Sequence, residues 1–127
     1  MKHIHMDLTE LSKRNEKLQD AAVQLTELMP GTSLVPVTSL IIRSAKRIDK
    51  IFPSLLANNS EARFGAIMEK LEEEMDEVLY CMDRLSQMNQ AQKVRYINDF
   101  VKYGYDLLSV YSFACDKIIE RKVKDDI

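Results

Sequence analysis

Apolar residues recur along this chain at alternating steps of four and three. The first run is Ile4, Leu8, Leu11, Asn15, Leu18, Ala22, Leu25 and Met29. That spacing puts one stripe of side chains on an α-helix packed at a shallow angle against its neighbours. Asp7 with Glu10 forms a capping box near its start, and Pro30-Gly31 ends it. Asn15 is the polar member of the stripe, and its expected role is to set register near one end of a bundle rather than to bind a ligand.

A second helix is expected to begin around Pro36 to Thr38 and to carry Val37, Leu40, Ile41, Ala45, Ile48, Ile51 and Phe52. Pro53 removes a backbone donor and disfavours the helical state at Phe52, so it kinks or ends this helix. Leu55, Leu56 and Ala57 can add a turn before Asn58-Asn59. Ser60 is a good N-cap for a third helix, with the seam Phe64, Met68, Leu71, Met75, Val78, Met82 and Leu85. Asn89 or Gln90 marks the next turn. The fourth seam is Val94, Ile97, Val101, Gly104, Leu108, Tyr111, Cys115 and Ile118. Gly104 within it predicts a close helix approach or a hole filled by a bulky neighbour. Short connections favour antiparallel neighbours, so the pattern predicts an all-α, antiparallel up-down-up-down four-helix bundle. It forms a single domain over 1–127, with flexible tails over about 1–6 and 123–127.

Composition agrees with this pattern. Hydrophobic residues make up 46% of the 127, enough to fill one core, and only three glycines and three prolines are available for turns. An all-β fold needs many more. The net charge is −2 and the pI about 5.7, whereas nucleic-acid binders are usually basic. Any nucleic-acid binding must therefore rest on a local patch. Cys81 and Cys115 are too few for a disulfide scaffold and read as buried thiols in a reducing compartment. No apolar run approaches membrane-spanning length, and the N-terminus MKHIHMDLTE lacks the apolar region of a secretory signal. The expected location is the cytoplasm.

Four cations on the second helix, Arg43, Lys46, Arg47 and Lys50, fall on one side, roughly opposite Ile41, Ala45 and Ile48. They form a solvated face, a phosphate-binding stripe or a dock for an acidic partner. The third helix carries Glu69, Glu72, Glu73, Glu74, Asp76, Glu77 and Asp83. These are a solvated face, a surface for a basic partner or another subunit, or a source of Glu74 and Glu77 for a structural charge network with Arg43. A di-iron bundle site needs a Glu-x-x-His on each of two helices, and the only histidines are His3 and His5 in the tail, so no metal and no cofactor is expected. A Ser or Cys nucleophile lacks a positioned base, and no glycine-rich phosphate loop is present. No catalytic residue is therefore assigned, and the chain is not read as an enzyme. On the fourth helix Tyr96, Phe100, Tyr103, Leu107 and Val110 make a second apolar stripe, with Phe113 beyond it. This is either a subunit interface, with Tyr96, Phe100, Tyr103 and Leu107 as its contacts, or one side of a wide core-facing stripe.

Leu40-Ile41-Ile42-Arg43-Ser44-Ala45 with Ile48 resembles the signature of the bacterial four helix bundle proteins, also called 23S rRNA intervening-sequence proteins. The similarity runs on through Asn59-Ser60-Glu61-Ala62-Arg63-Phe64, Leu71 and Glu73-Glu74-Met75-Asp76-Glu77-Val78-Leu79-Tyr80. Upstream, Leu25-Thr26-Glu27-Leu28-Met29-Pro30 is similar to the end of the family's first helix, so the resemblance covers roughly residues 25–88. Where family members often carry Asn and Glu, this chain has Ile51 and Ser54, with Pro53 between. The resemblance implies an antiparallel bundle that commonly assembles as a ring of five. It also implies kinship with accessory proteins of diversity-generating retroelements, which bind nucleic acid and a reverse transcriptase. By position, Arg43 matches the family arginine, and Glu74 and Glu77 its acidic pair.

The expected function is a non-enzymatic, self-associating scaffold, a homo-oligomer of about five subunits by that resemblance, which docks RNA or DNA through Lys46, Arg47 and Lys50. The alternative is a protein-interaction module that holds a protein partner on the acidic third helix or the aromatic stripe of the fourth.

Overall fold

The computed structural model describes residues 8–29, 34–57 and 61–125. They form four helices: α1 (Leu8–Leu28), α2 (Leu34–Ala57), α3 (Glu61–Gln92) and α4 (Arg95–Asp125). Each helix packs on its neighbour in sequence, and α4 closes the ring on α1 with the sparsest of the four seams. Partners across the α1–α2 and α3–α4 seams run in opposite directions. Ser12 meets Asp49, Asn15 meets Ala45 and Thr26 meets Thr38. Asp83 meets Tyr105, and Asn89 meets Asn98. The molecule is an antiparallel up-down-up-down four-helix bundle.

The four-three seams form its core. Leu18, Ala22, Ile41, Ile48, Leu71, Val78, Met82, Leu85, Ile97 and Tyr111 are all buried. Ile4, the Asp7 half of the capping box, Pro30-Gly31 and Ser60 lie outside the described residues.

Several helix limits differ from expectation. α2 begins at Leu34, ahead of Pro36 to Thr38. Leu34 is buried and anchors the first turn, and Pro36 sits in that turn, where a backbone N–H has no helical partner to lose. α2 also runs through Pro53 to Ala57. Phe52 and Leu55, both buried on either side of the proline, hold the segment against the core and offset the missing hydrogen bond. α4 continues to Asp125, past the tail boundary expected at 123.

α3 passes Asn89 and Gln90 and ends at Gln92. Lys93 follows in the left-handed region, with φ 52°, and its N–H donates to the Asn89 carbonyl at 2.7 Å. This is the usual left-handed helix stop, here occupied by a residue with a Cβ. Asn89 organises the turn through its buried side chain. Its Oδ1 accepts from the Val94 N–H at 2.9 Å, and its Nδ2 donates to Asn98 Oδ1 at 2.7 Å.

Gly104 is the hole filled by a bulky neighbour. The fully buried Met82 thioether occupies the space a Cβ would need at that position, so α3 and α4 interlock there.

Candidate interaction surfaces

The cations of α2 divide into two groups. Arg43, Lys46 and Lys50 are exposed. They stand at i, i+3 and i+7, a stripe about 10 Å long at about 1.5 Å rise per residue. Asp49, the only acid in α2, is half-buried and turns toward α1, where its carboxylate accepts a hydrogen bond from Ser12 at 3.3 Å. The stripe is thereby left without an acid from its own helix, and no ion pair reaches it among the described residues.

Arg47 belongs to the other group. Its Nη1 donates to Glu74 Oε1 at 3.1 Å, with side-chain exposures of 52% and 11% respectively. The charge network expected between Arg43 and Glu74 is therefore built on Arg47, one turn further along α2. Arg47 was also expected among the nucleic-acid contacts; here its guanidinium joins α2 to α3. Arg43 and Glu77 remain close enough to act on Cys81, in opposite senses: the carboxylate raises the thiol's pKa and the guanidinium lowers it. Burial is the larger influence and takes the thiol to about 11.

Most of the remaining acids of α3 are exposed, and one of them, Asp76, borders a groove of about 540 Å³ between α3 and α4. Met75, Leu79, Leu108 and Phe113 form its apolar wall, with Asp76 and Asp116 on opposite rims. Phe113 is 62% exposed and Leu79 is 42% exposed. Burial raises the Cys115 thiol to about 11, with Glu72 and Asp116 adding to the shift. Asp83 extends the acidic edge and accepts a hydrogen bond from Tyr105.

The second stripe of α4 does not lie wholly on the surface. Phe100 and Leu107 are buried in the subunit's own core, which corrects their assignment as interface contacts. α4 touches both α3 and α1, and a helix with two neighbours needs the wider apolar face. Tyr103 is half-buried, its hydroxyl donating to the Arg14 carbonyl at 2.9 Å, with the Lys17 ammonium 5.5 Å from its ring centroid. Tyr96 stays 43% exposed. It borders a second groove of about 280 Å³, between α1 and α4, together with Leu28, itself 63% exposed.

One constellation carried little signal beyond a single polar residue in an apolar seam. Asn15 is fully buried, donating to the Ala45 carbonyl at 2.9 Å and the Tyr111 hydroxyl at 2.7 Å while accepting from Gln19. Tyr111 in turn stacks on Phe52, with ring centroids 5.3 Å apart. Asn15 thus ties α1 to both α2 and α4, a register-setting contact rather than a ligand site. Cys81 and Cys115 are buried and unbridged. Among the described residues no group of three His, Cys, Asp or Glu side chains could hold a metal ion; His3 and His5 lie outside them. Among the same residues no helix is long and apolar enough to cross a membrane. No family model matches this chain, and no curated protein or solved structure shows a significant match to it.

Proposed function

We propose that this chain is a non-enzymatic cytoplasmic scaffold that self-associates and docks RNA or DNA through Arg43, Lys46 and Lys50 of α2. The observation that carries the reading is the stripe itself: three exposed cations on one face, with Asp49 drawn away to Ser12. Segregated charge of this kind gives a local positive field on a protein whose net charge is −2. Arg47, one turn on from Arg43, fastens α2 to α3 beside the stripe. The kinship with retroelement accessory proteins that the sequence resemblance implies points the same way. Self-association is supported by Leu28 and Tyr96, exposed beside the α1–α4 groove, since apolar side chains left in water at a groove favour a covering surface. Several copies would turn one weak stripe into a useful surface by avidity.

The test is a titration of labelled single- and double-stranded oligonucleotides at rising salt, alongside light scattering of the protein alone. Binding that weakens steeply with salt and disappears in Lys46→Glu/Lys50→Glu supports the docking face. A mass of several subunits, lowered by Tyr96→Glu, supports self-association. No binding at low salt removes nucleic acid from the reading and leaves a protein-interaction module.

A further inference from the structure

The groove between α3 and α4 lies on a different side of the bundle from the α2 stripe and has the opposite charge. We infer that it seats a basic amphipathic helix of a partner protein, its apolar anchors on Leu79 and Phe113 and its cations on Asp76 and Asp116. The inference is independent of nucleic-acid docking, because none of these residues belongs to α2.

Exposure is the first argument. Phe113 at 62% and Leu79 at 42% are exposed on neighbouring helices and line the same groove. An apolar pair in a concave site with a polar border marks an interaction surface, whereas single scattered apolar residues do not. The shape is the second. The groove lies between two packed antiparallel helices, and a third helix laid along such a valley buries a stripe at i, i+3, i+4 and i+7. The charge selects the occupant. Asp76 lines the groove from α3 and Asp116 from α4, with Glu72 one turn before Asp76 on α3 and Asp83 further along it. Lys117 is held by Glu120 at 3.3 Å and lies 5.2 Å from the Phe113 ring centroid, and among the described residues no ion pair reaches Asp76 or Asp116. Opposite potentials steer encounter and set orientation, and like-charged partners are rejected. An acidic or neutral helix would bury the same apolar pair but leave the rim carboxylates without partners.

The test uses three labelled peptides of about 18 residues. One has leucines at helical spacing flanked by lysines. The second is a scramble of the same composition, and the third carries glutamate in place of lysine. Fluorescence anisotropy against the whole protein is expected to show the first peptide binding at least tenfold more tightly than its scramble. Phe113→Ala is expected to weaken that binding about tenfold. Both residues altered in Asp76→Lys/Asp116→Lys are exposed at the rim, and circular dichroism verifies that the variant remains helical. That variant is expected to reverse the preference, releasing the lysine peptide and taking up the glutamate one. Such a gain cannot come from misfolding. Equal binding of peptide and scramble, or an unchanged preference in the reversed-charge variant, overturns the inference.

Discussion

Arg47 reaches Glu74 across the α2–α3 seam, Nη1 to Oε1 at 3.1 Å, and the two ends of that contact sit in different surroundings. The arginine side chain is half in water, whereas the glutamate is almost wholly enclosed. Removing the arginine leaves a secluded carboxylate without its partner, whereas neutralising the glutamate frees an arginine that water can solvate. Arg47→Ala is therefore expected to cost about 1–2 kcal/mol, and Glu74→Gln less than about 1 kcal/mol. Urea unfolding of the two variants measures the asymmetry. Equal costs would show that the pair behaves as an ordinary surface contact.

Asn15 and Tyr111 depend on each other. Burial holds the Tyr111 phenol well above its ordinary pKa, and the Asn15 hydrogen bond pulls it partly back. Asn15→Ala strands the buried hydroxyl and is expected to cost about 1–3 kcal/mol. Asn15→Leu combined with Tyr111→Phe removes both polar partners and is expected to recover part of that loss. A double-mutant cycle by thermal or urea unfolding gives the coupling, which additive losses would reduce to zero.

Pro53 interrupts the backbone ladder of α2 without ending the helix. The position is exposed, so Pro53→Ala restores an N–H for the Asp49 carbonyl and removes the ring's crowding. The variant is expected to gain about 1–3 kcal/mol. A loss of stability would mean that the proline ring makes packing contacts worth more than the hydrogen bond.

The two thiols predict a pH response. Burial, helped by Glu77 at Cys81 and by Glu72 and Asp116 at Cys115, raises each from 9.0 to about 11 in the folded chain. Between those values the unfolded chain gives up protons that the native one keeps. Their contribution to stability is therefore full below about pH 9 and is lost as pH rises through about 11. Urea midpoints from pH 8.5 to 11 should fall less steeply for Cys81→Ala/Cys115→Ala than for the parent. Parallel curves would show that the thiols ionise alike in both states.

Much of this bundle is legible in its spacing. The four-three steps locate Leu18, Ile48, Leu71 and Leu85 in the core, and a glycine within a seam announces the Met82 contact. What spacing leaves open is rotation. Arg43 and Arg47 are one turn apart on nearly the same face of α2, and which of them meets Glu74 depends on how α2 and α3 are turned toward each other. The width of α4's apolar face raises a similar difficulty. Phe100 and Leu107 look surplus against a single neighbour and become core once α1 closes the ring. Helix ends depend on tertiary burial, and so Leu34 and Leu55 carry α2 beyond both limits that its prolines suggest. The grooves were less legible still, because Leu79 with Phe113, and Leu28 with Tyr96, become neighbours only after folding.

The fit of Met82 into the notch at Gly104 has a mechanical consequence. A side chain keyed into a facing helix resists sliding, since a shift of one turn would drive the thioether against a residue that has a Cβ. The contact fixes the register of α3 against α4 at this point. A helix laid in the outer valley between them would meet two walls whose relative register is already set.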